Sequence, residues 1–484
     1  MILTVDIGTS TFKAALWNFD GSCRASVFLP LSLNENGRCE ADPEQWLRAF
    51  GECCARLPSQ NLSKTEALVI SGNGPTLVPV LGKPRLAGGE LRLESAPARL
   101  WLDRRAAAEE VSAAVGEFVD SSFFLPKALD IKNNEPELYE KTCFFLNCPE
   151  YLAYALTGGA WTIFPSEGFD RWYWNRDVLE KLALDGGKFP PFISPGDVFG
   201  TLPAGVAARL GLPAGAPVIA GGPDFFVAIL GAGAVSPGQV CDRSGSSEGI
   251  NVCTEKRIID RRLMSYGHPV KPWWNLSGII STTGKAVDWC MNVLGIAPAN
   301  SQADSGYEKF YQLAEAGGPG AGGIVFLPYL AGERAPIWDS GARGVFSGLS
   351  LSSGREHIAR AVAEGICLAI RDVIAVMEEA GAKVGELRVT GGTAESPVLN
   401  QIKADITGKD VLTQAHRDAG LLGLAVIGAA ALGKYGGFAE AASDLVGIGK
   451  IWHPDEKKNE LYGRIFTRYR ESYAALKDSG GRWV

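Results

Sequence analysis

Near its start the chain reads ILTVDIGTSTFKAALWN over residues 2–18. Residues 2–7 are rich in β-branched side chains and predict a short strand, and residues 13–18 predict a second strand that ends before an Asp-Gly turn at 20–21. The tip between the strands, residues 8–11, consists of glycine and hydroxyl residues. Because glycine lets backbone amides approach an anion and hydroxyls add donors, this hairpin has the chemistry to hold a phosphate group.

Three further predicted strands end in loops of the same kind. These loops are Gly222-Pro223-Asp224, Ser244-Gly245-Ser246 and Gly391-Gly392-Thr393. Ligands of α/β proteins bind where such loops converge at the carboxyl ends of strands. One small-residue loop is usually only a turn, so it is their combination that indicates a ligand site. The loop at 244–246 also repeats the order of the first hairpin, which predicts two related lobes.

The bulk properties exclude several classes of protein. A chain of 484 residues is too long for one hydrophobic core and predicts two domains. A net charge of −7 without a dense run of Lys or Arg argues against a nucleic-acid partner. The chain does not start like a signal peptide, and no apolar run approaches the ~20 residues that span a bilayer, so we expect a cytoplasmic protein with no membrane partner. Ten scattered cysteines and four histidines argue against a Cys/His zinc site.

The common nucleotide-binding signatures are missing. No GxxxxGK[ST] motif occurs, and Thr283-Gly284-Lys285-Ala286, the nearest stretch, lacks both the spacing and the final hydroxyl. No GxGxxG follows a predicted strand, and the paired motifs of protein kinases are absent. If ATP binds, it therefore does so through a different fold.

Four ordered motifs extend along the chain. They are 6–10 with Lys13, 124–127 followed by 133–136, 327–349, and 391–405. Together they resemble the FGGY family of carbohydrate kinases, and 327–349 is similar to its xylulokinase branch. The second family signature is intact from Gly344 to Glu364, whereas Asp130 stands where the first signature has a Trp. The resemblance extends from residue 2 to about residue 476, effectively the whole chain.

The resemblance implies an α/β protein with the two-lobed actin/Hsp70/hexokinase-like (ribonuclease H-like) ATPase fold. It implies ATP-dependent phosphorylation of a sugar or polyol hydroxyl, on a ketose- or pentulose-like substrate, with Mg-ATP held between the lobes. We expect a sugar-binding lobe with the first phosphate hairpin at 1–236, and a lobe with the second phosphate loop and an adenosine motif at 237–484. The last helix, about 455–477, is expected to pack back on the first lobe. A homodimer is left open.

The resemblance also assigns roles to individual residues. Asp224 matches the catalytic base and Asp6 the carboxylate that orients Mg²⁺. From the residues alone, Asp224 is better explained as a turn former, and Lys13 could equally be a solvated strand residue. The residues that match the nucleotide-binding positions are Gly8, Thr9, Ser10 and Lys13 in the first phosphate hairpin, Gly245 and Ser246 in the second, Gly284 near the nucleotide, and Gly392, Ala394 and Asn400 around the adenosine.

The sugar side is where the chain departs from xylulokinases. Those enzymes have a His where this chain has Pro75, and an Asn where it has Phe225, so two groups that hydrogen-bond a sugar are replaced together. We therefore expect a preferred substrate other than D-xylulose. The residues predicted to bind the substrate are Asn73, Gly74, Trp101, Asp103, Arg104, Asp224 and Phe225.

Two other classes of function remain as alternatives. A catalytically inactive sugar or nucleotide sensor would keep the fold and lose the base or the Mg²⁺ carboxylate, but Asp224 and Asp6 are both present. An ATPase machine of the actin or Hsp70 type would share the first hairpin but lack the second signature and the sugar-side segment at 101–105. Both observations favour a sugar kinase.

Overall fold

The structure, a computed structural model, describes residues 1–33, 39–88, 90–296 and 306–478. The strands are β1 (Ile2–Ile7), β2 (Thr11–Trp17), β3 (Cys23–Pro30), β4 (Glu40–Ala41), β5 (Ala67–Gly72), β6 (Val78–Val80), β7 (Arg85–Ala87), β8 (Glu90–Arg92), β9 (Ala98–Arg99), β10 (Phe144–Leu146), β11 (Thr162–Ile163), β12 (Phe192–Ile193), β13 (Val198–Thr201), β14 (Pro217–Pro223), β15 (Val240–Ser244), β16 (Glu248–Thr254), β17 (Met264–Gly267), β18 (Trp274–Ile280), β19 (Val325–Leu327), β20 (Val345–Ser347), β21 (Leu387–Gly391), β22 (Val411–Gln414) and β23 (Ile448–Trp452).

The α-helices alternate with these strands. They are α1 (Glu44–Arg56), α2 (Ser59–Leu62), α3 (Glu109–Val115), α4 (Phe124–Asn134), α5 (Pro136–Lys141), α6 (Cys148–Thr157), α7 (Arg176–Lys181), α8 (Ala204–Leu210), α9 (Asp224–Gly231), α10 (Gly284–Val293), α11 (Gly306–Ala316), α12 (Arg355–Glu379), α13 (Pro397–Thr407), α14 (Ala419–Ala431), α15 (Phe438–Leu445) and α16 (Glu456–Asp478). Among the residues described, no helix has the length and apolar character needed to cross a membrane.

The chain divides into two compact units. One consists of residues 1–231 and 420–446, and the other of residues 232–419 and 447–484. The predicted boundary after residue 236 is near the observed one, but the prediction did not foresee that 420–446 returns to the first unit. The return follows from packing, since α14 lies so close to β1 and β5 that a Cβ on Gly428 would contact the side chains of Ile2 and Val69.

The first unit is built on a six-stranded sheet in the order β13-β14-β5-β1-β2-β3. Strands β1, β2 and β3 form an antiparallel meander, β5 and β14 continue the sheet parallel to β1, and β13 closes it antiparallel to β14. All six residues of β1 and of β5 are buried, because helices cover both faces of the central strands. This explains why apolar residues occur on both faces of the two strands rather than in an alternating pattern.

The second unit repeats this plan in a seven-stranded sheet, β17-β18-β16-β15-β21-β22-β23. Here β15 takes the place of β1, with an antiparallel meander on one side, the parallel strands β21 and β22 on the other, and β23 closing the sheet antiparallel to β22. The faint similarity between the two hairpins in the sequence is thus part of a repeat of the whole sheet.

The last helix, α16, packs on the second unit, against α13 and β19, which corrects the expectation that it returns to the first lobe. Its face of buried tyrosines explains the difference. The Tyr462 hydroxyl donates to Glu364 Oε1 at 2.7 Å and accepts from Arg360 at 2.7 Å, both on α12. The Tyr469 hydroxyl lies 2.8 Å from that of Tyr329. These buried polar groups have their partners in the second unit.

Candidate active site

Three parallel strands of the first unit bring their carboxyl ends together. In the register of the sheet, Asp6 of β1 lies opposite Ser71 of β5, and Ser71 lies opposite Gly222 of β14. The loops that follow these strands carry the phosphate hairpin tip, the Asn73-Gly74 segment and Asp224. Because neighbouring strands are ~4.8 Å apart, these predicted residues lie at one edge of the sheet.

The first hairpin holds a carboxylate and an ammonium side by side. Asp6 is buried, and its Oδ2 lies 3.9 Å from Lys13 Nζ on the opposite strand. The Gly8 amide donates to Thr11 O at 3.0 Å, and a Cβ on Gly8 would lie only 2.7 Å from that oxygen. The tight tip therefore requires glycine at this position.

The loop after β5 is fastened to the end of β1 by Asn73. Its Nδ2 donates to Ile7 O at 2.9 Å, and its Oδ1 accepts from the Thr76 hydroxyl at 2.7 Å. Both polar atoms of this buried side chain are thus engaged inside the protein. The structure shows that Asn73 shapes the loop that was predicted to contact the sugar.

Asp224 is the first residue of α9 and follows β14 directly. Its Oδ1 accepts from the Phe225 amide at 2.7 Å, a bond that orients the carboxylate. The strand has a bulge between Ala220 and Gly222, and Gly222 O accepts from the Ser71 hydroxyl at 2.8 Å. The end of β14, and with it Asp224, is therefore held on β5.

The buried Cys148 thiol is affected by the charges of both aspartates, Asp6 and Asp224. Burial raises the pKa of Cys148 well above its usual value, and the negative charges of Asp6, Glu150 and Asp224 add to the rise. The Cys148 thiol donates to Asn73 O at 3.1 Å, directly below the loop after β5. The negative charges of Asp6 and Asp224 thus both act on the thiol beneath the loop after β5.

The segment after β9 contributes an indole to the phosphate hairpin. Trp101 Nε1 donates to the Thr9 hydroxyl at 2.9 Å. Asp103 is buried, and its two oxygens accept from Arg105 at 3.0 and 2.6 Å. Arg104 is exposed and donates to both oxygens of Asp120 at 2.7 and 2.6 Å. The structure thus brings Trp101 to the hairpin, whereas Asp103 and Arg104 are engaged in ion pairs.

Next to Asp224, Phe225 belongs to an aromatic wall that sequence reasoning missed. Its ring stacks on Phe169, with 5.8 Å between centroids and 21° between planes. Phe169 lies 4.9 Å from Trp172, whose ring stacks on Phe123 at 5.8 Å. The density of aromatic residues between 164 and 174 is the signal that could have indicated this wall.

Asp130, which replaces the Trp of the first signature, has an ionic partner. Its Oδ2 lies 2.5 Å from Nη1 of Arg99, a nearly inaccessible residue that also pairs with Glu135. Burying one arginine is stabilising only when its charge is compensated, and two carboxylates do so here. An ion pair therefore occupies the place expected for an aromatic side chain.

In the second unit, the second phosphate loop is built on the start of α10. The Gly284 amide donates to Gly245 O at 3.1 Å, and the Thr283 amide donates to Ser246 O at 3.2 Å. A Cβ on Gly284 would collide with Gly245 O. The predicted residues Gly245, Ser246 and Gly284 thus lie together, and the contact requires glycine at 284.

The predicted adenosine residues follow the neighbouring parallel strand, β21. Gly391 lies opposite Ser244 with a φ of +92°, so that the backbone turns where a side chain would not fit. Asn400 Nδ2 donates to Ala394 O at 2.8 Å, while its buried Oδ1 has no hydrogen-bond partner among the residues described. Around Gly392, by contrast, a Cβ would meet no atom within 4 Å. The predicted adenosine residues thus leave free space at Gly392 and, among the residues described, a buried acceptor without a partner at Asn400 Oδ1.

A buried lysine joins this helix to the second hairpin. Lys403 of α13 pairs with Asp242 of β15 and, at 2.8 Å, with Glu248 of β16. Although burial alone would lower it, the two carboxylates raise the pKa of Lys403, which is therefore charged. The ion cluster holds the predicted adenosine motif next to the predicted second phosphate loop, and sequence reasoning did not find it because Lys403 lies more than 150 residues from both carboxylates.

Comparisons with known proteins agree with this arrangement. The N-terminal domain of the FGGY family of carbohydrate kinases matches residues 1–231, and the C-terminal domain of that family matches residues 243–432. The chain belongs to the FGGY family of carbohydrate kinases. This FGGY kinase is 29% identical to a xylulose kinase of Bacillus subtilis, over 99% of this chain and 97% of that protein. It is 25% identical to a gluconokinase of the same organism, over 92% and 90% of the two chains.

Solved structures show the fold of this FGGY kinase. The ligand-bound xylulose kinase of Lactobacillus acidophilus aligns with a TM-score of 0.84 at 24% identity, over 100% of both chains. The xylulose kinase of Rhodospirillum rubrum aligns with a TM-score of 0.80 at 26% identity, over 98% of this chain and 99% of that one. The predicted α/β fold of the actin and hexokinase type is confirmed, and so is the predicted class of enzyme, a kinase that uses ATP to phosphorylate a small sugar.

Proposed function

We propose that this FGGY kinase transfers the γ-phosphate of Mg-ATP to a hydroxyl of a ketose- or pentulose-like sugar, with Asp224 as the general base. The observation that carries the proposal is the placement of Asp224 and Asp6 at the same edge of the first sheet, beside the phosphate hairpin. The names of the xylulose and gluconate kinases that resemble the chain support a small sugar or sugar acid as the acceptor. Asp224 and Asp6, the carboxylates of which an inactive sensor would lose one, are both present.

Asp224 has the position that a base for an alcohol needs. It lies at the end of β14, half-buried, and the Phe225 amide orients one of its oxygens. In phosphoryl transfer the transition state is loose and the hydroxyl proton leaves late, so an ordinary carboxylate suffices as the base. Its task is to hold the attacking hydroxyl in line with the phosphate and to accept the proton.

Asp6 has the chemistry to hold Mg²⁺ on the nucleotide side. Magnesium prefers oxygen ligands, keeps several waters and is usually bound by one or two carboxylates together with phosphates. The described residues contain no group of three His, Cys, Asp or Glu side chains placed to hold a metal, which fits a single carboxylate that works with the phosphates of ATP. When bound, Mg²⁺ would neutralise the charge that develops on the phosphates, and Lys13 would add to this.

Residues of the second unit are proposed to hold the nucleotide. Backbone amides and the hydroxyl at Gly245 and Ser246 would bind phosphate oxygens, with Gly284 packed against that loop. Gly392, Ala394 and Asn400 would surround the adenosine. The free space at Gly392 and the unsatisfied Oδ1 of Asn400, which would accept from a ribose hydroxyl or from the adenine amino group, support this assignment.

On the sugar side, Phe225 and Pro75 favour a substrate other than D-xylulose. Phe225 extends the aromatic wall of Phe169, and neither Phe225 nor Pro75 can hydrogen-bond a hydroxyl through its side chain. We propose a sugar with fewer hydroxyls, or a different configuration, at the carbons that face these residues. It would be another pentulose, a tetritol-like polyol or a related small sugar.

A coupled assay of ADP release over ketoses, aldoses and polyols tests the proposal. We expect turnover with at least one small ketose or polyol, and its loss in Asp224→Ala. An enzyme that turns over such a sugar equally well after Asp224→Ala would contradict the role of the base. An enzyme that turns over none of these sugars would contradict the substrate class.

A further inference from the structure

Lys127 of α4 is a buried cation whose hydrogen-bond acceptors are backbone carbonyl groups. Its side chain is 1% exposed. Its Nζ donates to Leu100 O at 2.7 Å, to Pro75 O at 2.8 Å and, more weakly, to Arg99 O at 3.4 Å. The geometry shows a lysine that is closed off from solvent and holds backbone rather than a ligand.

These carbonyl groups belong to two separate segments that meet at Lys127. Pro75 is part of the loop after β5, which begins with Asn73 and Gly74. Arg99 and Leu100 lead directly into Trp101, whose indole donates to Thr9 in the first phosphate hairpin. Pro75 belongs to the sugar side proposed above, and Trp101 is among the residues predicted from the sequence to bind the substrate. A single ammonium group therefore connects the two segments that would bind the substrate.

The helix that carries Lys127 is itself fixed to the same place. Arg99 pairs with Asp130, one turn after Lys127 on α4. The Arg99 guanidinium also donates to the backbone carbonyl of Lys127 at 3.5 Å. The Arg99 guanidinium therefore fixes the 99–101 segment to α4 at the position of Lys127.

We propose that Lys127 is a positioning residue that keeps the 73–75 loop and the 99–101 segment in the relative arrangement that binds the sugar. It would act through these backbone segments and would not touch the substrate. The proposal rests on the sugar-side assignment made under the proposed function. It predicts a larger effect on sugar binding than on ATP binding, since Lys127 hydrogen-bonds the two sugar-side segments directly and reaches the phosphate hairpin indirectly, through the bond from Trp101 to Thr9.

The environment of Lys127 makes this connection sensitive to pH. Burial lowers the pKa of Lys127 to about 7, and the charges of Arg99 and Arg104 oppose those of Asp103 and Asp120 around it. Below pH 7 the ammonium donates three charge-assisted hydrogen bonds, whereas the neutral amine above pH 7 has two weaker donors for three carbonyl groups. The connection is therefore expected to weaken as the pH rises through neutrality.

Lys127→Met and Lys132→Met form a matched pair of variants for the test. Lys132 lies on the same helix and also donates to backbone carbonyls, those of Leu182 at 3.2 Å and Ala183 at 2.7 Å, outside the sugar-side segments. With the pentulose that the wild type turns over fastest among D- and L-xylulose and D- and L-ribulose, we expect Lys127→Met to raise the sugar KM roughly ten-fold or more. The ATP KM should stay within about two-fold, and Lys132→Met should change neither. An unchanged sugar KM, or an equal rise of both KM values in Lys127→Met, would overturn the proposal.

The wild type provides a second test that does not depend on the folding of a variant. Between pH 6 and pH 8.5 we expect its sugar KM to rise roughly three- to ten-fold and its ATP KM to change by less than about two-fold, because the Lys127 proton acts directly on the sugar-side segments. A wild-type sugar KM that is independent of pH would overturn the role of Lys127. Trp101→Ala tests the sugar-side assignment separately from the role of Lys127, since an unchanged sugar KM in that variant would overturn the assignment.

Discussion

Asp6 and Lys13 lie opposite each other on the two strands of the first hairpin, with 3.9 Å between Asp6 Oδ2 and Lys13 Nζ. The distance is longer than a hydrogen bond, so the two groups interact as a separated pair of charges. A cation and a carboxylate at the base of a glycine-rich tip are the groups that a phosphate and its Mg²⁺ require. The hairpin therefore has the composition of the nucleotide side of the site.

The first prediction concerns the variant Asp6→Asn. We expect this variant to need a higher Mg²⁺ concentration and to have a lower kcat with Mg-ATP, because an amide holds the metal less well than a carboxylate. Its affinity for the sugar should remain near that of the wild type. Calorimetry measures the affinities for the sugar and for Mg-ATP, and kinetics over a range of Mg²⁺ concentrations measure the metal requirement. Asp177→Asn, on the exposed start of α7, is the control. If sugar affinity collapsed while Mg-ATP affinity was unchanged, the role assigned to Asp6 would be wrong.

The second prediction is for Asp224→Ala. General-base catalysis contributes at least ~100-fold, so we expect kcat with the best sugar to fall by that factor or more. ATP binding and the melting temperature should remain close to those of the wild type, since the Asp224 side chain is only half-buried. Asp177→Ala removes an equivalent carboxylate from another helix start of the same unit and should retain full activity. Near-normal turnover in Asp224→Ala would rule out the base.

The third prediction concerns the second phosphate loop. Gly284→Ala places a methyl group against Gly245 O, and such overpacking costs about 1–3 kcal/mol. Because the displaced backbone belongs to the proposed nucleotide loop, we expect the ATP KM to rise about ten-fold and the sugar KM to change little. Gly463→Ala on α16 is the control, since a Cβ there meets no atom within 4 Å and should stabilise the helix by up to ~1 kcal/mol. An unaltered ATP KM in Gly284→Ala would contradict the assignment of this loop.

The sequence is sufficient to predict the parts of the site that are local in the chain. The strands that end near Asp6, Gly222, Ser244 and Gly391 are short segments rich in β-branched residues that run into glycine, and such a pattern indicates both the strand and its loop. The Gly8 and Gly284 positions are likewise explained by contacts with loops of small residues. These strand ends and their glycine loops could therefore be predicted without the structure.

Contacts between distant segments could not be predicted in this way. Lys403 meets Asp242 and Glu248 from more than 150 residues away, and nothing in its own neighbourhood indicates a buried cation. The return of 420–446 to the first unit depends on how closely an apolar helix fits β1 and β5, which periodicity does not reveal. Arg104 likewise pairs with Asp120, 16 residues further along the chain, whereas the partner of Asp103, Arg105, is local and was missed in the sequence.

The last prediction concerns specificity, where the chain departs most from its relatives. A sugar hydroxyl that faces Phe225 or Pro75 would lose water without gaining a partner, at roughly 1–3 kcal/mol per group. Two such losses reduce kcat/KM for D-xylulose by about ten- to a thousand-fold relative to an enzyme that hydrogen-bonds both hydroxyls.

Phe225→Asn tests this hypothesis, because it places an amide directly after Asp224, the proposed base. We expect kcat/KM for D-xylulose to rise about ten-fold relative to the wild type, the value of one recovered hydrogen bond. Phe225→Leu is the matched control, since it also removes the stacking on Phe169 but adds no hydrogen-bonding group. A panel of pentuloses, tetritols and hexuloses, assayed with all three proteins, measures the shift. If D-xylulose is the best substrate of the wild type, or if Phe225→Leu gains as much as Phe225→Asn, the apolar wall does not select the sugar and its recognition depends on other residues.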